Sequence, residues 1–193
     1  MASHRTLVFD NGFARLPEFF HSRVQATPVP DPYLVCHSPD ALALLGLEAD
    51  AIQHPELIET LAGNRLLPGI DAVAALYAGH QFGHYVPQLG DDRALLLGET
   101  NGWEIQIKGG GRTPYSRGGD GEAALEPMLR EVIIGEAMHA LGIPTTRALC
   151  IVGRDPPGAS ESAAKYHNAP ETALYRKSRD LCGLGLTSEN IRR

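Results

Sequence analysis

The clearest alternation of apolar and polar side chains lies in the middle of the chain. Residues 94–97 form a short apolar run, and apolar and polar side chains alternate strictly over Trp103–Lys108. A period of two is typical of a β-strand with one buried face. Asn101-Gly102 between the runs predicts a two-residue hairpin, because both positions of a type I′ turn need positive φ. The pattern therefore predicts an antiparallel meander, in which a turn at residues 90–93 and a further strand precede this hairpin.

Short helices are predicted before the meander. Prolines over residues 1–37 favour extended segments and turns. Ser38 followed by Pro39 is typical of a helix N-terminus. The apolar positions that would pack this first helix are Leu42, Leu45 and Leu47. Two further helices are predicted at Pro55–Leu61 and near Asp71–Tyr77, each followed closely by a glycine.

A longer helix is predicted after the meander, from Pro127 to Leu141. Its expected apolar stripe consists of Leu129, Val132, Ile133, Ala137 and Leu141. Gly142 and Pro144 end it, and Thr145–Val152 is predicted to be a strand. We expect three regions: extended and helical support at 1–80, the meander and long helix at 81–153, and a divergent, irregular tail at 154–193.

Composition bounds the class of protein. The 193 residues are 43% hydrophobic and 21% charged, values typical of one globular domain. The net charge of −6 argues against a nucleic-acid partner. The three cysteines show neither CxxC pairing nor zinc-ligand spacing. No secretory signal or run of about 20 apolar residues is visible. We expect a soluble, cytoplasmic protein with no membrane partner.

Candidate phosphate-binding residues surround the end of the predicted hairpin. Lys108 precedes a glycine-rich loop, residues 109–121, that contains Arg112 and Arg117. Glycine amides and basic side chains in this pattern favour phosphate binding. Glu131, on the following helix, would pair with Lys108 as in kinases. The commoner alternative for each residue is a solvated surface position, and residues 90–93 alone fit an ordinary polar turn.

Other candidate chemistry is weaker. His80 and His84 have the spacing of metal ligands on a helix, but Gly83 lies between them and no third ligand is apparent. We therefore expect structural or surface histidines. Tyr115 and Ser116 lack a visible base, so neither is predicted to be a nucleophile. The absence of GxxxxGK[ST] excludes a P-loop.

Several long segments resemble the selenoprotein O family of protein adenylyltransferases. They are FARLPEFF, LAGNRLLPG, YAGHQFG, QLGDDR, ALLLGE, WEIQIKGGGRTPYSRGGDG and EAMHALGIPTTRAL, and they span about residues 9–153. The resemblance implies an α+β, protein-kinase-like N-terminal lobe (antiparallel meander plus helix) preceded by a helical and extended region. It also implies AMP transfer from ATP to hydroxyl groups of protein substrates, with Mg²⁺ or Mn²⁺. The positions it implies for ATP are Gly90, Asp92, Arg93, Lys108, Asp120 and Gly121, with Glu131 as the partner of the lysine.

The chain departs from the family pattern in three places. The family turn LGDGR has Asp92 in place of its second glycine, and two arginines of DGRAVLR are Glu122 and Glu126 here. No RVAPSxxRFG-like segment, catalytic aspartate or metal-binding Asn/Asp pair is found in residues 154–193. We therefore expect a truncated chain without a C-terminal lobe, catalytic residues or metal ligands, and inactive alone. A disrupted reading frame near Arg154 would explain this. The alternatives are a non-catalytic ATP-binding or regulatory module and an inert fragment.

Overall fold

The computed structural model describes residues 7–154 and the backbone of 171–176. These residues form a seven-stranded antiparallel sheet of order β1-β3-β6-β7-β9-β8-β2 and a separate two-stranded hairpin, β4-β5. The strands are β1 (His21–Arg23), β2 (Tyr33–His37), β3 (Val73–Ala75), β4 (Gly79–Gln81), β5 (His84–Val86), β6 (Ala94–Thr100), β7 (Trp103–Lys108), β8 (Arg147–Gly153) and β9 (Glu171–Arg176). The helices are α1 (Pro39–Leu44), α2 (Pro55–Leu61) and α3 (Leu125–Ala140), with 3₁₀ turns at Phe13–Arg15, Glu18–Phe20 and Ala49–Gln53. The molecule is thus mixed α and β, as expected.

The Asn101-Gly102 hairpin of the predicted meander is confirmed as β6 and β7. The strand expected before the turn at residues 90–93 does not join this meander, because β5 pairs with β4 in a separate hairpin and the other neighbour of β6 is β3. Asn101 and Gly102 have φ values of 50° and 82°, as a type I′ turn requires. The Asn101 side chain also donates a 2.7 Å hydrogen bond to the carbonyl of Leu45, which ties the hairpin to the end of α1. The ladder shifts register between Leu96 and Gly98, so β6 contains an irregularity that the alternation did not show.

The two short helices α1 and α2 are confirmed. The Ser38 hydroxyl accepts a hydrogen bond from the Ala41 amide and caps α1. The three predicted contacts of this helix region, Leu42, Leu45 and Leu47, are all buried. The helix predicted near Asp71–Tyr77 is wrong. That stretch contains β3, which pairs with β1 and β6, and both Val73 and Ala74 are fully buried. Pairing on both sides therefore overrides its local helical preference.

Helix α3 begins at Leu125, two residues before the predicted start, and Gly142 ends it with φ 74°. Its buried face consists of Met128 with Leu125, Leu129 and Val132 packed around Ile151 of β8. The predicted stripe is therefore right for Leu129 and Val132. It is wrong for the exposed Ile133, Ala137 and Leu141, because the helix continues its inner face through Glu136, which pairs with Arg147.

Apolar layers cover both faces of the sheet. On one face, α1, α2 and the segment Ala49–Gln53 pack with Ile105, Ile107 and Leu149 in the main core. On the other face, α3 packs against β8. All seven residues of β8 are buried, as expected for a strand covered on both sides.

Residues 171–176 form β9, which pairs with β7 on one side and β8 on the other. An irregular tail was expected here, so the expectation is wrong for these six residues. Apart from Arg154, the other residues of the tail lie outside the described residues. Within the described chain, no helix combines the length and hydropathy needed to cross a membrane.

Candidate functional site

Lys108 and Glu131 form an ion pair between β7 and α3. The Lys108 Nζ lies 2.5 Å from both Glu131 carboxylate oxygens. Since side chains alternate along β7 and Ile107 enters the core beside α1 and α2, Lys108 projects from the face that α3 covers. The side chains are 28% and 47% exposed, so the pair contributes at most about 1 kcal/mol to folding. Glu131 therefore fixes the position of an ammonium group that still reaches solvent.

Gly90 sets the conformation of the turn before β6. It has φ 60°, and a Cβ at this position would lie 2.7 Å from the Tyr115 ring. Its amide donates a 3.1 Å hydrogen bond to the carbonyl of Tyr77. The glycine is thus explained by backbone conformation and by close contact with the glycine-rich loop.

Asp91 anchors the same turn from inside the protein. Its carboxylate accepts hydrogen bonds from the Ala75 amide and the Tyr77 hydroxyl, both at 3.0 Å. Burial raises the pKa of Asp91, an effect that these two hydrogen bonds oppose. Thr113 donates a 2.6 Å hydrogen bond to the Asp91 carbonyl, which joins the turn to the glycine-rich loop.

Asp92 and Arg93 face different surroundings. The Asp92 carboxylate is 44% exposed and lies 3.7 Å from the Arg117 guanidinium. The Arg93 carbonyl accepts the amides of Gly109 and Gly110, so this arginine lies beside the end of β7. Its Nη1 is 3.4 Å from the Glu122 carbonyl, and its buried Nε has no hydrogen-bond partner among the described residues. A buried donor without a partner is uncommon in folded proteins.

The glycine-rich loop closes on itself. The Gly111 amide donates to the Gly121 carbonyl at 3.1 Å, and Gly121 has φ 77°. Asp120 is exposed and its carboxylate accepts the Glu122 amide at 2.9 Å. Arg112 donates to the Gly119 carbonyl at 2.8 Å, so its guanidinium supports the loop.

Sequence reasoning missed two arginine pairs, one beside this loop and one between β8 and α3. Arg154 lies 2.5 Å from Glu122, whose carbonyl contacts Arg93, so Glu122 joins two basic residues. Glu122 is a departure from the family pattern in the sequence, but no sequence signal marks Arg154 as its partner. Arg147, 5% exposed in its side chain, binds Glu136 through two hydrogen bonds of 2.8 and 2.9 Å and fastens β8 to α3.

The structure brings the expected residues into one region. Ala94 pairs with Lys108, which places Arg93 beside the lysine, and the loop returns through Gly121 to Glu122. The two histidines, His80 and His84, are exposed on the β4–β5 hairpin, which fits the expectation of surface histidines. The described residues contain no group of three His, Cys, Asp or Glu able to hold a metal ion. The Tyr115 hydroxyl shares a hydrogen bond with the Ser22 hydroxyl. The Ser116 hydroxyl donates a hydrogen bond to the Asp92 carbonyl.

A sheet and helix joined by a lysine–glutamate pair, with glycine turns beside it, is an arrangement typical of nucleotide-dependent transferases. Similarity to known protein families identifies the class of transferase. The chain belongs to the family described as protein adenylyltransferase SelO, whose model matches residues 4–163. The matched residues extend beyond both ends of residues 9–153, the range covered by the motifs found in the sequence. The family consists of nucleotidyltransferase enzymes.

Curated relatives carry the name protein nucleotidyltransferase YdiU. The relative from Thiobacillus denitrificans is 69% identical over 162 residues, covering 81% of this chain and 33% of the relative. Those from Dechloromonas aromatica and Myxococcus xanthus are 54% and 52% identical, covering 78% and 81% of this chain and 31% and 33% of the relatives. The chain thus spans about a third of the length of these relatives.

Proposed function

We propose that this chain forms the nucleotide-binding wall of a protein adenylyltransferase, built on a kinase-like N-terminal lobe. The activity would be transfer of AMP from ATP to Ser, Thr or Tyr hydroxyl groups of proteins. The Lys108–Glu131 pair carries the proposal, because it holds a partly exposed ammonium at the end of β7, next to the glycine-rich loop. The names of the family and its relatives, adenylyltransferase and protein nucleotidyltransferase, support the reaction and the substrate class.

The charges near Lys108 suit a polyphosphate. Lys108 acts as a point charge, and the β6–β7 register places the backbone of Arg93, a second basic residue, next to that of Lys108. Gly90 and Gly121 let the turn and the glycine-rich loop pack closely, because a Cβ at either position would collide with Tyr115 or with the Gly111 backbone. Asp92 is partly exposed and Asp120 is exposed in the same region. In this proposal Lys108 and Arg93 bind phosphate oxygens, and Glu131 orients the lysine.

ATP, when bound, would supply the AMP group and release pyrophosphate. The basic and glycine residues of the described chain fit the phosphates. The same residues contain no metal-binding cluster, so we assign no ligand for Mg²⁺ or Mn²⁺ and no catalytic residue to them. Their roles are to bind and orient the nucleotide.

Calorimetric titration with ATP tests the proposal. Lys108→Ala should weaken ATP binding by about 10- to 100-fold, since a hydrogen bond to a charged group contributes about 1.5–3 kcal/mol. Arg65→Ala is the matched control, because it removes an equal charge from a partly exposed pair with Glu56. The control should bind ATP like the unsubstituted chain.

Equal ATP affinity in the Lys108→Ala variant and the unsubstituted chain, or no ATP binding by either, would contradict the proposal. Since no catalytic residue is assigned to the described residues, we expect this chain to bind ATP without transferring labelled AMP to a protein, a result that a non-catalytic nucleotide-binding module would also give.

A further inference from the structure

The β4–β5 hairpin carries an aromatic residue that the fold does not explain. Its turn residues, Phe82 and Gly83, both have positive φ, 52° and 80°. For a bulky residue this conformation costs about 1 kcal/mol or more, and Asn or Gly is the residue that such turns favour. Phe82 is 92% exposed, so it gains almost no packing within the described chain to offset the strain. Such strain at an exposed position points to a contact made with another molecule.

The sides of the hairpin offer further uncharged contacts. His80 and Tyr85 lie directly opposite each other, with ring centroids 5.4 Å apart, and Tyr85 is 62% exposed. Gln81 and His84 flank the two-residue turn and form a hydrogen-bonded backbone pair. The next pair, His80 and Tyr85, is then a non-hydrogen-bonded pair, so their backbone N–H and C=O groups point outward from the hairpin. Residues 77–90 contain no Asp, Glu, Lys or Arg. The hairpin therefore presents aromatic rings and open strand edges without charge.

The hairpin is fastened to the candidate nucleotide site. At its base, the Tyr77 carbonyl accepts the amides of Leu89 and Gly90. Nearer its tip, Arg117 donates a 2.9 Å hydrogen bond to the Gln81 side chain, and the same guanidinium lies 3.7 Å from Asp92. A molecule bound to the hairpin would thus be held beside the turn at residues 90–93.

We propose that this hairpin docks an extended, uncharged segment of the protein that receives the nucleotide. Phe82 and Tyr85 pack against apolar side chains near the acceptor hydroxyl, and a hairpin edge pairs with the segment's backbone. Aromatic residues commonly dominate the binding energy of such contacts. The inference rests on the proposed function, since an acceptor protein must lie close to the nucleotide. The lack of charge favours a neutral peptide over a polyanion.

Substitution of Phe82 by Asn separates docking from folding. Asn tolerates positive φ, so Phe82→Asn should melt at the same temperature as the unsubstituted chain or higher. The probe is an array of twelve-residue peptides, each centred on one Ser, Thr or Tyr with uncharged, acidic or basic flanks. The unsubstituted chain should prefer uncharged flanks, and Phe82→Asn should lower peptide affinity by about tenfold or more. Tyr85→Ser serves as a second variant. Leu141→Asn, at a 76% exposed position at the far end of α3, is the matched control.

Titration with ATP on the same variants distinguishes the two proposals. Unchanged ATP affinity with lost peptide binding supports docking at the hairpin. Failure of every variant and of the unsubstituted chain to bind ATP overturns the proposed function, while the peptide array still reports on the hairpin. Docking is overturned if both hairpin variants bind peptides like the unsubstituted chain, or if no peptide or only charged peptides bind. It is also overturned if Phe82→Asn weakens ATP binding as much as it weakens peptide binding. That last result would make Phe82 part of the nucleotide site.

Discussion

Asp92 places a carboxylate in the turn at residues 90–93, where a phosphate-binding turn would carry no negative charge. Its carboxylate is partly exposed, and Arg117 is near enough to attract it but too far to form a hydrogen bond at 3.7 Å. Asp92 does not have positive φ, in contrast to Gly90, so its backbone does not require glycine. The side chain thus adds negative charge beside a surface proposed to bind an anion, without a conformational benefit.

Removal of this charge should strengthen ATP binding. Asp92→Asn is expected to raise affinity by about fivefold, because a like charge near a surface costs about 1 kcal/mol. Asp92→Gly should gain at least as much, since it also removes the Cβ. Calorimetry at low and high salt measures both, and the gain should shrink at high salt as charges are screened. An unchanged or weaker affinity in Asp92→Asn would show that Asp92 does not face the nucleotide.

At the scale of elements, sequence predicted best where local signals agree with tertiary pairing. The Ser38 cap, the Asn101-Gly102 turn and the alternation of β7 each specify an element by short-range chemistry, and each is confirmed. The stretch around Val73 failed, because its strand state depends on two partners distant in sequence, β1 and β6. The stripe of α3 failed at Ile133, since which apolar residues face inward depends on where β8 lies.

The candidate site shows the same division. Lys108 and Glu131 were paired by analogy with kinases, and the structure places them in contact. The Arg154–Glu122 pair was not predicted, because it depends on the end of β8 lying next to the end of the glycine-rich loop, a contact between segments distant in sequence. The roles of these residues toward ATP stay predictions.

The glycine-rich loop should tolerate a side chain at one glycine and not at another. Gly118 and Gly121 both have positive φ, 88° and 77°. A Cβ at Gly118 meets open space, whereas one at Gly121 would lie 2.1 Å from the Gly111 carbonyl carbon. Gly118→Ala should therefore cost about 1 kcal/mol of unfolding free energy, and Gly121→Ala about 2–4 kcal/mol. Urea unfolding measures both. Equal losses would show that the loop does not close through Gly111 and Gly121.

At the scale of the whole molecule, β9 completes the sheet. Without it, β7 and β8 would each present an unpaired edge, and the sheet would divide into β1-β3-β6-β7 and β8-β2. The pairing also reaches the candidate site, because the backbone of Glu171 lies opposite Lys108. Order at residues 171–176 therefore supports both the fold and the position of the lysine.

Hydrogen exchange measured by mass spectrometry tests this role of β9. Opening the strand requires breaking ladders on both sides, so amides of residues 172–175 should exchange as slowly as those of 104–107 in β7. The exposed turn at Phe82 and Gly83 is the internal reference, and exchange in β9 should be slower than there by on the order of a thousandfold. If residues 171–176 instead exchange as fast as this turn while β7 stays protected, the sheet does not contain β9. Lys108 would then lie on an edge strand, because β7 would be paired with β6 alone.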